Sequence, residues 1–200
     1  MEPLFKGGVD IIEASNQDVW RNWLKDNHLS QKSVWLRIFK VASGIPSVTY
    51  DQAVDEALCF GWIDSKPNKW DDKSHIQFFA KRNPKSNWSG INKAKVEKLI
   101  ALGKMSDEGF RMIEIAKKSG AWDALNEVEN LIIPTDLQLE LQKYSDAYAY
   151  FSNFPKSTRR GILEWISNAK QPETRSKRIE ETARLAENNI RANQYQSKAK

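Results

Sequence analysis

LCFGWIDSKPNKWDDKSHIQFFAKRNPKSNWSGIN, residues 58–92, decides how the chain folds. It opens on the end of a helix. Thr49 and Gln52 form a capping-box pattern, and Tyr50, Val54, Ala57 and Leu58 follow one helical face until Gly61 stops it. GWIDSKPNKWDD then reads as an extended segment interrupted at Pro67, residues 71–74 as a turn, and HIQFFAKR as a strand. The stretch ends in KSNWSGIN, where Ser86 or Ser89 caps a helix whose core stripe is Val96, Leu99 and Ile100.

Working outward, SVWLRIFK is rich in Val, Trp, Ile and Phe between turn residues, and reads as a second strand. Its alternation puts Val34, Leu36 and Ile38 on one face and Trp35, Arg37 and Phe39 on the other. Residues 9–14 are short and apolar enough for a further strand. Ser15 or Asn16 then caps a helix with Val19, Trp20, Trp23 and Leu24 on its inner face. Beyond residue 86 the pattern stays helical, through a helix begun by Ser106 and closed by Gly120 and a connector over 121–134 anchored by Trp122, Leu125, Val128 and Leu131. Helices follow from Thr135 or Asp136, from Ser145 or Asp146, from Pro155 or Ser157, and at Pro172, a first-turn proline. The last of them carries Ile179, Ala183, Ala186 and Ile190 on one side. The expected class is α+β: a small, mainly antiparallel sheet packed with helices, followed by an all-helical C-terminal module. The expected division is a core domain over 1–134, a helical module over 135–193 and a disordered tail over 194–200.

Composition narrows the function. With 200 residues, 40% hydrophobic and 28% charged, the chain suits a packed, soluble core. The only cysteine is Cys59, inside a helical pattern, so neither a disulfide framework nor a cysteine-based metal site is expected. His28 and His75 lie in different elements, without a partner at ligand spacing, so no metal and no cofactor is expected. No window has the ~20 apolar residues of a membrane span, and the N-terminus does not read as a signal peptide, which makes a cytoplasmic location the expectation. The net charge of +5 is uneven: residues 156–200 carry 11 Lys and Arg against 5 Glu. Arg159, Arg160, Arg175, Lys177 and Arg178 form a candidate surface for nucleic acid or an acidic partner, or else pair with glutamates on neighbouring turns.

The candidate ligand site is Trp62, Asp64, Arg82, Ser86, Trp88, Ser89 and Asn92. If the extended segment lies beside HIQFFAKR, the Asp64 carboxylate can face Arg82 as a charge-assisted pair, either flanking a pocket or acting as a structural tie. Ser86 and Ser89 at a helix start are either caps or part of an anion site, and Asn92 shares the apolar face of Val96, where an amide needs partners. Trp62, Trp70, Phe78 and Phe79 beside Lys69, Lys73, Lys81 and Arg82 have the composition of a stacking platform, although alternation buries half of them. The serines lack the surroundings of a nucleophile, so no catalytic residue is assigned.

Taken together, EALCFGWIDS, the Phe79 and Arg82 pair, KSNWSGIN, VEKLIALGKMSDEGFRMIEIAKKSGAW and FPKSTRRGILEWISNAKQPETRSKRI resemble the bacterial YdeI/OmpD-associated proteins, also called bacteriocin-protection proteins. The matching residues are Gly61, Trp62, Asp64, Arg82, Ser86, Trp88, Ser89 and Asn92 in the first part, and Arg160, Trp165, Pro172, Glu173, Thr174, Arg175 and Arg178 in the second. The resemblance implies a stress-associated binding or interaction protein and carries no catalytic residues. The alternatives are a small polar or anionic ligand, or a weakly catalytic pocket with Asp64 as general base, at the Asp64, Arg82 and Asn92 site, and nucleic acid on the basic helices.

Overall fold

Gly7 and Gly8 both take positive φ, the conformation a two-residue hairpin turn demands, and the chain doubles back there. Leu4–Lys6 (β1) consequently pairs antiparallel with Val9–Glu13 (β2). Only the second of these strands is expected from sequence, because a three-residue strand leaves too little alternation to detect. The computed structural model describes residues 4–194, and the tail expectation for 194–200 lies, beyond Gln194, outside the described residues.

Two units divide between Asp123 and Ala124. The first continues with α1 (Gln17–Asn27), β3 (Ser33–Phe39), a 3-10 turn at Val41–Ser43, α2 (Tyr50–Cys59), β4 (Trp62–Lys69), β5 (Ser74–Lys81), α3 (Gly90–Ala101) and α4 (Asp107–Ser119). Its five strands run in the order β1-β2-β3-β5-β4, and every neighbouring pair is antiparallel except β2 with β3. The molecule is therefore α+β, as its sequence pattern predicts.

One face of the sheet carries Val34, Leu36, Ile38, Trp62 and Phe79, and packs with Trp20 and Leu24 of α1 and Ala53, Ala57 and Leu58 of α2. Trp20 and Leu24 are fully buried one turn apart, and Trp23 stacks on Trp20 at 5.3 Å. Val19, expected on the same face, is 42% exposed, because the stripe centres on Trp20 and Leu24. Ile100 and Ile190 likewise face solvent. On the opposite face Trp35, Ile11 and Ile76 make a smaller cluster, beside which Arg37 binds Glu13, Asp71 and the Ser74 hydroxyl. Asp71 also accepts from the Lys73 and Ser74 groups that follow it, which is how the turn before β5 is held.

The second unit contains α5 (Asn126–Glu129), α6 (Thr135–Leu141), α7 (Ala147–Asn153), α8 (Lys156–Ser167) and α9 (Pro172–Glu187). Leu137, Leu141, Phe151, Ile162, Ile166 and Ala183 form its interior, joined by Leu125 and Val128 from the 121–134 connector. The connector's remaining tryptophan, Trp122, packs with the first core.

Candidate functional site

The residues singled out by sequence pattern separate into two places. Asp64 stands two residues after Trp62 on β4, opposite Phe79, and its carboxylate accepts from the Tyr50 hydroxyl at 2.7 Å and from the Gln77 amide at 3.4 Å. Arg82 follows β5 and turns elsewhere. Its guanidinium lies 3.8 Å over the Trp88 ring and donates to the Asn87 carbonyl at 2.5 Å. Among the described residues no carboxylate pairs with it, so the expected Asp64–Arg82 pair does not form. Burial pulls the Arg82 pKa down to about 10.

The Arg82 cluster is a lock on the 83–89 loop. Trp88 tilts against Trp122, and its backbone N–H donates to the Ala121 carbonyl. The Ser86 hydroxyl donates back to the Asn83 carbonyl, and the Ser89 hydroxyl accepts from the Asn92 backbone N–H, capping α3. These contacts close local geometry, a turn at Ser86 and a cap at Ser89. Trp62 is buried in the core, edge-on to Trp23, and its indole N–H donates to the His28 carbonyl. Of the proposed stacking residues, Phe79 is likewise in the helix-covered core, while Phe78 and Trp70 lie on the opposite sheet face.

Asp64 instead reaches a groove through Tyr50. Helix α2 buries Ala53, Val54, Glu56, Ala57 and Leu58, which leaves Tyr50 of its first turn half exposed. The groove beside it has a volume of about 510 Å³, with walls of Ile38, Phe39, Val41, Ile45, Pro46 and Val48 and with His75 at one side. Its loop is tied down at both ends: the Phe39 N–H donates to the Ser47 hydroxyl and the Val48 N–H to the Ala14 carbonyl. Gln77, almost fully buried, bonds both Asp64 and the Ser65 carbonyl, so the amide orients the carboxylate and the carboxylate orients the phenol. Burial first, and Asp64 second, push the Tyr50 hydroxyl up to about 12. It remains a neutral group whose proton is committed to Asp64 and whose lone pairs are available to a donor.

A second cavity, of about 600 Å³, lies between α1 and the start of α4. Glu56, 1% exposed, accepts there from Gln17 at 2.6 Å and Arg21 at 2.5 Å. Arg21 also donates to the Lys104 carbonyl and stacks on Phe60. Cys59 is buried nearby, and burial together with the Glu56 charge pushes its thiol up to about 11, so it is no nucleophile at neutral pH. Tyr50, Gln77, Arg21 and Glu56 were missed as site residues. Gln77 and Glu56 carried a signal, since both occupy core-facing positions of otherwise apolar patterns.

In the helical unit the candidate basic surface is largely engaged. Arg160 binds Glu129 through two nitrogens and Glu164 through a third. Arg175 makes a bidentate contact with Asp136, and Arg178 donates to the Trp165 carbonyl and lies over its ring. Lys177 and Arg159 make no ion pair among the described residues.

Fold and cavities define a class: an α+β sheet unit with ligand-sized depressions, in one chain with a helical unit carrying arginine–carboxylate pairs. Residues 12–112, just over half of the chain, match the family described as a domain of unknown function (DUF8412), and the chain belongs to that family. Residues 130–189 match the family described as bacteriocin-protection, YdeI or OmpD-associated, which places that likeness in the helical unit. No curated protein and no solved structure matches the chain. Among the described residues no helix is long and apolar enough to cross a membrane.

Proposed function

We propose that this chain is a cytoplasmic, stress-associated binding protein whose sheet unit receives a small ligand in the groove beside Tyr50. The observation that carries this reading is the series Gln77, Asp64 and Tyr50 at the end of an apolar groove with a tethered wall. Ligand sites commonly combine ~300–1,000 Å³ of mostly apolar lining with a few oriented polar groups, and this groove has both. The helical unit, which carries the match to the family described as bacteriocin-protection, YdeI or OmpD-associated, is taken as the part that engages a protein partner. Nucleic-acid binding is the less favoured reading, because Arg160, Arg175 and Arg178 are already held by intramolecular partners.

A thermal-shift screen of metabolites, nucleotides and oligonucleotides on the whole chain tests the proposal, since any ligand of the native state raises its apparent stability. The expected hit is a small, largely apolar molecule with a hydrogen-bond donor, and Tyr50→Phe weakens it about tenfold, on the order of one good hydrogen bond. A hit unaffected by Tyr50→Phe and Asp64→Asn would remove the groove from the argument. A salt-sensitive oligonucleotide shift reduced by Lys177→Ala would favour the basic helices instead.

A further inference from the structure

The cavity between α1 and α4 has walls of opposite sign that do not neutralise each other. Arg21 and Lys25 line it from α1, and Asp107 and Glu108 from the first turn of α4. Oppositely charged walls normally close on one another when nothing is meant to lie between them. Here each partner is satisfied elsewhere or stands alone: Arg21 is held by Glu56, Glu108 is held by Arg111 through two nitrogens, and Lys25 and Asp107 make no ion pair among the described residues. The Arg111 contact keeps the Glu108 carboxyl below its usual range, so it is ionised at neutral pH.

The apolar part of the cavity is also fixed in place. Phe60 lies under the Arg21 guanidinium at 5.3 Å and against the His28 ring at 5.0 Å. The His28 Nδ1 donates to the Leu24 carbonyl at 2.9 Å, which fixes the ring orientation. The Trp62 indole holds the His28 carbonyl from beneath. An aromatic ring, the cationic side chains of α1 and the carboxylates of the α4 start therefore line one space of about 600 Å³.

We propose that this cleft binds a small dipolar molecule, a free amino acid or short peptide with its ammonium toward Asp107 and Glu108, its carboxylate toward Lys25 and Arg21, and its apolar side chain on Phe60. The two ends are recognised by charges of opposite sign, so a ligand lacking either end leaves one wall unpaired. This site is separate from the Tyr50 groove and stands or falls without it.

Calorimetric titration of the whole chain with the twenty free amino acids and with a mixed dipeptide pool supplies the test. At least one of these probes should bind at millimolar concentration or below. N-acetylation or C-terminal amidation of that probe should each weaken binding tenfold or more. Lys25→Glu, an exposed change on α1, should weaken the free probe by a similar factor while leaving the amidated form less affected, and Asp107→Asn should act on the ammonium end. Tyr50→Phe should change nothing. No heat with any probe, or equal affinity of the blocked and free forms, overturns the proposal. Unchanged circular dichroism of both variants establishes that the loss is one of binding.

Discussion

Arg21 in the sheet unit and Arg175 in the helical unit make chemically the same contact, a guanidinium on a carboxylate, in different surroundings. The Glu56 side chain is 1% exposed and shares its oxygens between Arg21 and Gln17, whereas the Asp136 side chain is 48% exposed. The sheet unit keeps charge inside, next to a cavity, where a lone carboxylate has no water to turn to. The helical unit keeps its pairs at the surface, where water substitutes for either partner. That difference separates a region arranged around internal polar groups from one whose charges mainly secure a bundle of short helices.

Glycine spacing offers the most severe way to break the comparison. At Gly109 in α4 a Cβ would stand 2.3 Å from the Cys59 carbonyl oxygen and 2.9 Å from its carbon, both backbone atoms that cannot swing away. Helices α2 and α4 touch through that gap, and the Ser106 backbone and hydroxyl both donate to the same carbonyl. Gly109→Ala should therefore cost at least about 3 kcal/mol, the upper end of overpacking effects. The check is the alkylation rate of Cys59, which is buried and so reacts only when the sheet unit opens. A rate unchanged from the parent chain would show that the two helices separate freely, and would undermine the rigid cleft between α1 and α4.

Next in size is Arg21→Ala. Removing Arg21 leaves the buried Glu56 carboxylate without its cation; breaking a fully buried pair typically costs ~3–5 kcal/mol, and with Arg21 itself one third exposed and the Gln17 bond surviving, the expectation is about 3 kcal/mol. Arg175→Ala should cost below about 1 kcal/mol, as exposed pairs do. Hydrogen exchange read by mass spectrometry resolves the two units separately, with the first change deprotecting α2 and the second affecting only the start of α9. Equal losses would mean that burial of Glu56 does not set the energetics of the sheet unit.

Much of this architecture was legible in the sequence, and the reasons are local. Thr49 with Gln52, Ser89, Ser106, Gly61 and Gly120 announce helix ends through contacts with their own neighbours in the chain, and each cap forms. The alternation of β3 sorts its side chains between the two faces as read. The site was less legible because its contacts are long in sequence. Asp64 and Arg82 are brought to the same end of the sheet by the β4–β5 hairpin, but Arg82 finds the Trp88 ring six residues on and the Asn87 carbonyl, which hold it without a carboxylate and leave its Nε without a hydrogen-bond partner. Tyr50 looked like a core residue because it continues the apolar face of α2; placed in the first turn, it overhangs the sheet edge and meets Asp64. Arginine pairs in the helical unit were written at helical spacing only for Arg160 and Glu164, while Glu129 and Asp136 come from other helices and no periodicity could reveal them.

The smaller predictions test the helical unit on its own terms. The Arg175 hydrogen bonds hold the Asp136 carboxyl below its usual range, against the opposing effect of partial burial. A depressed carboxylate adds stability above its unfolded value of ~4 and loses it as pH falls through the folded value. The deficit of Arg175→Ala should accordingly be full at pH ~6, above the unfolded value, and shrink as pH falls through the lowered folded value of Asp136. Last comes Gly161 in α8, whose added Cβ would meet nothing within 4 Å and whose φ is not positive. Gly161→Ala removes backbone freedom from the unfolded chain without touching a neighbour, and should stabilise α8 by about 0.5–1 kcal/mol. The same Gly→Ala change thus has opposite signs in the two units. If exchange in α8 were faster in Gly161→Ala, the open side of α8 would have to be occupied, and the helical unit would share the close backbone packing that singles out the sheet unit at Gly109.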